Sequence, residues 1–226
     1  MHKKDTAPMT IGVCEIFYSI QGEGVNAGSP AVFLRTSGCN LRCDWCDTKH
    51  AWKTGKKVSV DDVIASVKRL SQGTKRLVIT GGEPLMWHRQ VRAIVDSLSG
   101  FDIEVETNGT LPPVHSHHVQ YNVSPKLSNS KASRKRRIVP ENLSQFVALD
   151  SYFKFVVKDI KDINEVLSLV DEFSIPRDRV ILMPLGSTTR ELQLRALITL
   201  KLCLVHGFRY SPRLQIEIFG KSSKGV

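Results

Sequence analysis

The sequence predicts an α/β fold, namely a partial, open (βα)6-type barrel that resembles a TIM barrel. Two observations support this prediction. Apolar or β-branched runs of strand length recur along the chain, and patterns typical of amphipathic helices lie between several of them. Strands that alternate with helices form a parallel sheet, and about six βα units suggest an open or partial barrel.

The predicted strands and helices follow one another along the chain. The candidate strands are residues 31–35, 77–80, 101–106, 119–123, 153–157, 180–183 and 214–219. Helical patterns cover residues 60–70, 91–98, 162–173 and 190–206. The first helix follows Ser59, which has the spacing of a capping box with Asp62.

The composition is that of one globular domain spanning residues 1–226. Hydrophobic residues make up 41% of the chain and charged residues 24%, a balance typical of folded proteins. No run of about 18 apolar residues predicts a membrane-spanning helix, and residues 1–10 lack the apolar run of a secretory signal. We therefore expect a cytoplasmic protein without a membrane partner. The net charge of +10 predicts an acidic partner or substrate, without choosing between nucleic acid, phosphate and carboxylate.

Three of the five cysteines form one array, Cys39-x3-Cys43-x2-Cys46. An odd number of cysteines without a secretory signal argues against a disulfide framework. One interpretation is a zinc site completed by His50. The other is an iron–sulfur cluster, which normally takes four cysteines. Three cysteines leave one iron open, where a substrate or cofactor can bind.

Polar sequences follow four successive predicted strands. They are the cysteine loop and residues 80–84, 106–109 and 124–126. In parallel α/β folds the loops at the carboxyl ends of the strands carry the chemistry. The four sequences therefore predict a single active-site face. The two glycines of Gly81-Gly82-Glu83-Pro84 allow a close backbone approach to a ligand, and Glu83 offers an acceptor for a cationic amino group.

The cysteine array and the Gly81-Gly82-Glu83-Pro84 sequence together resemble the motifs of the radical S-adenosylmethionine superfamily. The resemblance implies a 4Fe–4S cluster held by the three cysteines, with S-adenosyl-L-methionine bound at the open iron. It places Ser124, Pro125 and Lys126 near the carboxylate or ribose of that cofactor. The cofactor-binding residues that it implies are Trp45, Cys46, Asp47, Gly82, Glu83, Ser124, Pro125 and Lys126.

Residues 15–30, here called the substrate loop, contain Gln21-Gly22-Glu23-Gly24. The amide group of Gln21 and the carboxylate of Glu23 can form hydrogen bonds with the donors and acceptors along the edge of a heterocyclic ring. A solvated turn is the alternative. The substrate loop and residues 36–50, here called the cluster loop, closely resemble the 7-carboxy-7-deazaguanine synthases. The resemblance covers nearly the whole chain and is tightest over residues 15–48.

That family converts 6-carboxy-5,6,7,8-tetrahydropterin into 7-carboxy-7-deazaguanine with loss of ammonia, on the route to queuosine. The resemblance implies a homodimer and a magnesium ion held by Thr48, whose hydroxyl is a hard oxygen ligand. It implies catalytic roles for Gln21, Glu23 and Arg35, and Arg35 also suits a substrate carboxylate, with a surface ion pair as the alternative. The implied pterin contacts are Ile20, Gln21, Gly22, Glu23, Arg35, Thr80 and Val226.

Residues 128–140, here called the basic loop, carry Lys131 and four further cations at 134–137. No aromatic residues interleave for base stacking, so we expect no direct nucleic-acid binding. A solvated loop or a docking site for an acidic electron donor such as flavodoxin is the better interpretation. Two other functions stay open at this point: a glycyl-radical enzyme activase and a zinc-stabilised RNA-binding module.

Overall fold

A computed structural model describes residues 8–53, 55–116 and 118–220. This part of the chain contains one nine-stranded sheet with the order β3-β1-β2-β4-β5-β6-β7-β8-β9. The strands are β1 Thr10–Ile20, β2 Pro30–Thr36, β3 Lys56–Ser59, β4 Arg76–Gly81, β5 Asp102–Thr107, β6 Val119–Val123, β7 Tyr152–Val157, β8 Val180–Pro184 and β9 Arg209–Tyr210. Strand β1 pairs antiparallel with β2 and β3, and the other neighbours pair in parallel. The predicted open barrel is confirmed, because the sheet does not close on itself.

The four predicted helices are present, with ends shifted by at most a few residues. The helices are α1 Val60–Leu70, α2 His88–Ser97, α3 Arg134–Arg137, α4 Pro140–Ala148, α5 Asp162–Glu172, α6 Thr189–His206 and α7 Leu214–Phe219. The predicted cap of α1 is also present, since the Ser59 hydroxyl accepts a hydrogen bond from the Asp62 backbone N–H at 3.1 Å. Helices α3 and α4 were not predicted.

The two faces of the central strands differ in polarity, and this difference prepares the active site. In β5, Ile103 and Val105 are buried in the main core. The alternation of side chains along a strand sends Glu104 and Glu106 to the opposite face, inside the open barrel. Lys154 of β7 lies on that face too, because its ammonium contacts Glu106. The helices thus cover an apolar face, while β5 and β7 bring charged side chains into the barrel interior.

Residues 214–219 form helix α7, so their prediction as a strand was wrong. Their alternating apolar and polar residues fit a strand pattern, but the sheet edge beside β8 is occupied by β9. The segment instead forms a short helix that buries Ile216.

Two predicted loops contain more regular structure than expected. Residues 15–20 of the substrate loop belong to β1, where Phe17 stacks on Phe33 of β2 with ring centroids 5.0 Å apart. The basic loop contains a 3-10 turn at Ser128–Ser130, the helix α3 and the first residue of α4. Within the described residues, no helix has both the length and the apolar character needed to cross a membrane.

Candidate active site

A cavity of about 820 Å³ opens at the carboxyl ends of the strands. Its volume is within the range of small-molecule sites. Most of the predicted site residues line it: Ile20, Gln21, Gly22, Glu23, Arg35, Cys39, Cys43, Trp45, Cys46, Asp47, Thr48, Thr80, Gly82, Ser124 and Lys126. Glu83 and Pro125 are not among its lining residues. Val226 lies outside the described residues.

The three array cysteines are free thiols on the wall of this cavity. Among the described residues, no group of three or more His, Cys, Asp or Glu side chains is gathered around a point where one metal ion would sit. Three thiols on one cavity suit an iron–sulfur cubane, because each thiolate of a cubane binds a different iron.

A second observation on this wall also fits a cluster. The indole N–H of Trp52 is buried and makes no hydrogen bond within the described part of the chain. Burial raises the pKa of the neighbouring Cys46 thiol, and the Asp47 carboxylate adds to that rise. Cluster sulfur atoms accept hydrogen bonds from such N–H groups, so the donor set of the loop suits the group that the sequence predicts.

The glycine-rich loop after β4 packs directly against the cluster loop. The Glu83 backbone N–H donates to the Gly38 carbonyl at 2.8 Å. A Cβ atom on Gly82 would lie only 2.0 Å from that same carbonyl oxygen. Glycine is therefore required at position 82 to bring the two loops together.

Glu83 supports this arrangement from beneath the cavity wall. Its carboxylate accepts hydrogen bonds from the backbone N–H groups of Leu85 and Asn108 and from the Thr107 hydroxyl, at 2.7–3.0 Å. Complete burial raises the pKa of the Glu83 carboxyl, and the three donors oppose that rise. The contact of Glu83 with the amino group of a cofactor stays a prediction.

Glu23 is the centre of a buried network of charges. Its carboxylate accepts from the Lys154 ammonium at 2.6 Å, from Arg213 Nε at 3.1 Å and from Gln215 Nε2 at 2.7 Å. Burial raises the pKa of Glu23, but Lys154 and Arg213 outweigh it and hold the pKa well below its usual range. Glu23 is therefore ionised at neutral pH.

Lys154 joins this network to Glu106 at 2.8 Å. Burial lowers the pKa of Lys154, but the two carboxylates outweigh it and raise the pKa above its ordinary value, so the ammonium stays charged. Burial also raises the pKa of Glu106, against the opposing effect of Lys154. Gln21 supports both acids, because its Nε2 donates to Glu106 at 3.4 Å while its Oε1 accepts from the Glu23 backbone N–H at 3.3 Å.

Arg35 forms the ion pair that the sequence left as an alternative. Its Nε atom lies 2.5 Å from Glu15 Oε1, and its side chain is only 14% exposed. The residue still lines the cavity beside Thr80 of β4. The Arg35 guanidinium, which is predicted to bind a substrate carboxylate, is thus held in place by Glu15.

Lys126 lies between the predicted cofactor residues and the cysteines. Its ammonium donates to the Ser124 hydroxyl at 2.7 Å and lies 5.7 Å from the centre of the Trp45 ring. Trp45 is fixed by a hydrogen bond from its indole N–H to Asn129 Oδ1 at 3.0 Å. Burial raises the pKa of the Cys43 thiol, and the Lys126 charge opposes that rise.

Sequence reasoning missed Lys154, Arg213 and Gln215, which all line the cavity. Lys154 gave a usable signal, since it is a single lysine within an otherwise apolar predicted strand. Gln215 gave none, because the strand prediction for 214–219 placed it in the sheet, and Arg213 stands just before that segment without a motif of its own.

Comparison with known proteins identifies relatives along most of the chain. A model described as the Radical SAM superfamily matches residues 33–121. A 7-carboxy-7-deazaguanine synthase of Pyrobaculum aerophilum is 38% identical over 226 residues, covering 96% of this chain and 98% of the relative. That of Halobacterium salinarum is 39% identical over 230 residues, covering 91% and 89%.

Solved structures agree with these sequence matches. The crystal structure of QueE from Escherichia coli superposes with a TM-score of 0.70 at 27% identity, covering 89% of this chain and 93% of that chain. Streptococcus suis SuiB bound to precursor peptide SuiA superposes with a TM-score of 0.57 at 15% identity, covering 79% and 47%. The second likeness is one of fold alone.

Proposed function

Because this chain belongs to the 7-carboxy-7-deazaguanine synthase family, we propose that it is the radical S-adenosylmethionine lyase of queuosine biosynthesis. It converts 6-carboxy-5,6,7,8-tetrahydropterin into 7-carboxy-7-deazaguanine and releases ammonia. The observation that carries the proposal is the single cavity that both the cysteine array and residues of the substrate loop line. With the family shown, neither the activase nor the zinc-stabilised RNA-binding module is retained.

Cys39, Cys43 and Cys46 would hold the 4Fe–4S cluster. When bound, the cluster and S-adenosyl-L-methionine supply the 5′-deoxyadenosyl radical that abstracts a hydrogen from the pterin. The Lys126 charge opposes the rise in pKa that burial causes at Cys43 and Cys46, and so favours the thiolate forms of these two residues. We expect these free thiols to be maintained in the cytoplasm, where thiols stay reduced.

The adenosyl cofactor would lie along Trp45, Gly82, Ser124 and Lys126, which all line the cavity. We propose that Glu83 and Pro125 contact this cofactor as well, as the resemblance implies. Glu83 also ties its loop together, since its carboxylate accepts the Asn108 backbone N–H.

The pterin would bind where Glu23 and Gln215 present acceptors. A carboxylate has about four lone-pair sites. Lys154, Arg213 and Gln215 occupy three of them on Glu23, which leaves one for a pterin N–H donor. Gln215 Oε1 is buried and accepts no hydrogen bond within the described chain. A buried orphan acceptor beside Gly22 suits a second N–H of the ring edge.

The substrate carboxylate would be met by Arg35 and by a magnesium ion on Thr48. Both residues line the cavity. Mg2+ keeps several waters and needs few protein ligands, so a single hydroxyl together with a substrate carboxylate is a sufficient donor set. Gln21 then acts by holding Glu23 and Glu106 in place.

We also propose a one-electron donor such as flavodoxin, an acidic protein, as a partner. The basic loop supports this because it packs on the cluster loop, with Arg136 Nη2 donating to the Asn40 carbonyl at 2.6 Å. Lys131 and Arg134 are partly neutralised by Asp44 and Glu172. The exposed Lys135 is the residue to test. Lys135→Glu should slow turnover with flavodoxin but not with dithionite, and Lys68→Glu on α1 is the matched control.

A homodimer is supported by helix α6, which exposes a large apolar surface. Leu194, Leu197, Leu204 and Val205 are 61–76% exposed within the described chain. Monomers rarely leave such a patch in contact with water. Leu204→Glu should shift the sedimentation coefficient of the protein from dimer to monomer; a wild-type protein that sediments as a monomer would remove this part of the proposal.

An anaerobic assay tests the proposed activity. The reconstituted protein should absorb near 400 nm and, with the carboxypterin, S-adenosylmethionine and Mg2+, produce the deazapurine and ammonia. Cys43→Ala should abolish both the absorption and the product, whereas Cys203→Ala should keep them because that thiol is buried away from the cavity. If Cys43→Ala still forms product, the assignment of Cys43 to the cluster is contradicted. If Thr48→Ala leaves the Mg2+ dependence unchanged, the assignment of Thr48 to Mg2+ is contradicted.

A further inference from the structure

We infer that Arg213 is a positioning residue that orients the Thr48 hydroxyl and the substrate loop together, an inference that rests on the proposed function. Its side chain is only 7% exposed. The guanidinium donates to Glu23 through Nε, to Asp47 through Nη2 and to the Gly186 carbonyl through Nη1. One buried group therefore bridges the substrate loop, the cluster loop and the segment after β8.

The contact with Asp47 determines which atoms Thr48 presents to the cavity. The Thr48 hydroxyl donates its hydrogen to Asp47 Oδ1 at 2.7 Å. A hydroxyl has one hydrogen and two lone pairs. Once the hydrogen points to Asp47, the oxygen offers only lone pairs to a cation. Arg213 holds the other carboxylate oxygen, Asp47 Oδ2, and so fixes the direction of that hydrogen bond.

Residues 211–215, which include Arg213, hold the substrate loop at three further points. The Leu214 backbone N–H donates to the Gly22 carbonyl at 3.0 Å, and Gln215 Nε2 donates to Glu23. The Gly24 N–H donates to the Ser211 hydroxyl at 2.8 Å. Because Arg213 lies at the centre of these contacts, movement of Asp47 and movement of Glu23 are linked.

Only an arginine can make this bridge. Its planar fork presents several N–H groups in fixed directions, whereas a lysine ammonium is a single point charge. Arg213→Lys keeps a buried positive charge but can approach only one of the two carboxylates closely. The cluster loop and the substrate loop would no longer be fixed at once.

The experiment compares Arg213→Lys with wild-type reconstituted enzyme, without turnover. Pterin binding is followed by fluorescence while Mg2+ is varied, and hydrogen exchange is measured over residues 21–24 and 47–49. We expect Arg213→Lys to unfold near the wild-type midpoint. The Mg2+ concentration for half-maximal pterin binding should rise about 10- to 100-fold, which is the usual loss of affinity when a residue that orients a metal ligand is replaced. Exchange should accelerate in both segments.

The matched control is Arg209→Lys. Arg209 does not line the cavity, and its Nε donates to the Asp178 carbonyl at 2.8 Å rather than to either carboxylate. It should leave the Mg2+ dependence and both exchange profiles unchanged. Asp47→Asn should shift the Mg2+ dependence as Arg213→Lys does, and the double variant should shift it no further, because the two residues act in series.

Two results would overturn the inference. One is a folded Arg213→Lys protein with wild-type Mg2+ dependence and exchange. The other is an additive double variant, since Arg213 and Asp47 would then act independently. Failure of the proposed function gives a different result, because the wild-type enzyme would then bind no carboxypterin at any Mg2+ concentration. In that case the proposed role of Arg213 toward Thr48 would also be refuted.

Discussion

Replacing Lys154 by methionine is expected to lower the free energy of unfolding by about 3–5 kcal/mol at pH 8, the usual cost of removing one partner from a buried ion pair. The ammonium is only 4% exposed and lies within 2.6–2.8 Å of Glu23 and Glu106. Glu23 keeps Arg213, whereas no other cation is found in an ion pair with Glu106 in the described chain. For a protein of this size 1 kcal/mol is about 2–4 °C, so the melting temperature should fall by about 6–20 °C.

The loss should depend on pH in a direction set by Glu106. Burial raises the pKa of Glu106 even with Lys154 present, and removing Lys154 raises it further. A carboxyl whose pKa is raised by folding stabilises the folded state below that pKa, and this stability is lost as the pH rises through it. The deficit of Lys154→Met relative to wild type should therefore be smaller at pH 5 than at pH 8.

Thermal and urea unfolding of the cluster-free protein at both pH values measures this effect. Lys158→Met, at an exposed position just after the same strand, is the control and should unfold like the wild type. A Lys154→Met midpoint within 2 °C of wild type, or the same deficit at both pH values, would refute the reasoning.

Three further predictions concern Gly82, Glu83 and the thiol of Cys203. Gly82→Ala should lose most of its cluster iron, measured per chain after reconstitution, because its Cβ would lie 2.0 Å from the Gly38 carbonyl; Gly100→Ala, which has open space, should not. Glu83→Gln should cost about 1–3 kcal/mol of unfolding free energy in urea, since an NH2 group would replace one of the two oxygens that accept hydrogen bonds from the three donors. Burial raises the pKa of Cys203 to about 11, so iodoacetamide at pH 8 should modify it only after unfolding, as mass spectrometry would reveal.

The strand ends could be predicted because each carries a local pattern. An apolar run predicts a strand, and a polar sequence directly after it predicts a loop that carries functional residues. Strand β4 is an example, since Thr80–Gly82 follow its buried part. The cysteine spacing is likewise local. These signals located the face of the fold and most of the cavity wall without any knowledge of contacts.

The charge network could not be predicted, because it depends on contacts between distant residues. Nothing near Glu23 in the sequence indicates Lys154 or Arg213, which are 131 and 190 residues away. The ion pairs of the basic loop could not be predicted for the same reason. Three of its five cations form ion pairs, including the buried Arg137 with Glu165 at 2.7 Å, so only part of its charge is open to an acidic partner.

The bridge made by Arg213 also has a consequence for the order of folding. A ribosome releases the cysteine array long before it releases Arg213, because 166 residues separate Asp47 from that arginine. Contacts of such high sequence separation form late, after the entropy of closing the loop between them has been lost. During synthesis the nascent chain therefore carries three thiols without the contact that fixes their loop. Cluster insertion is expected to follow completion of the chain rather than to accompany synthesis.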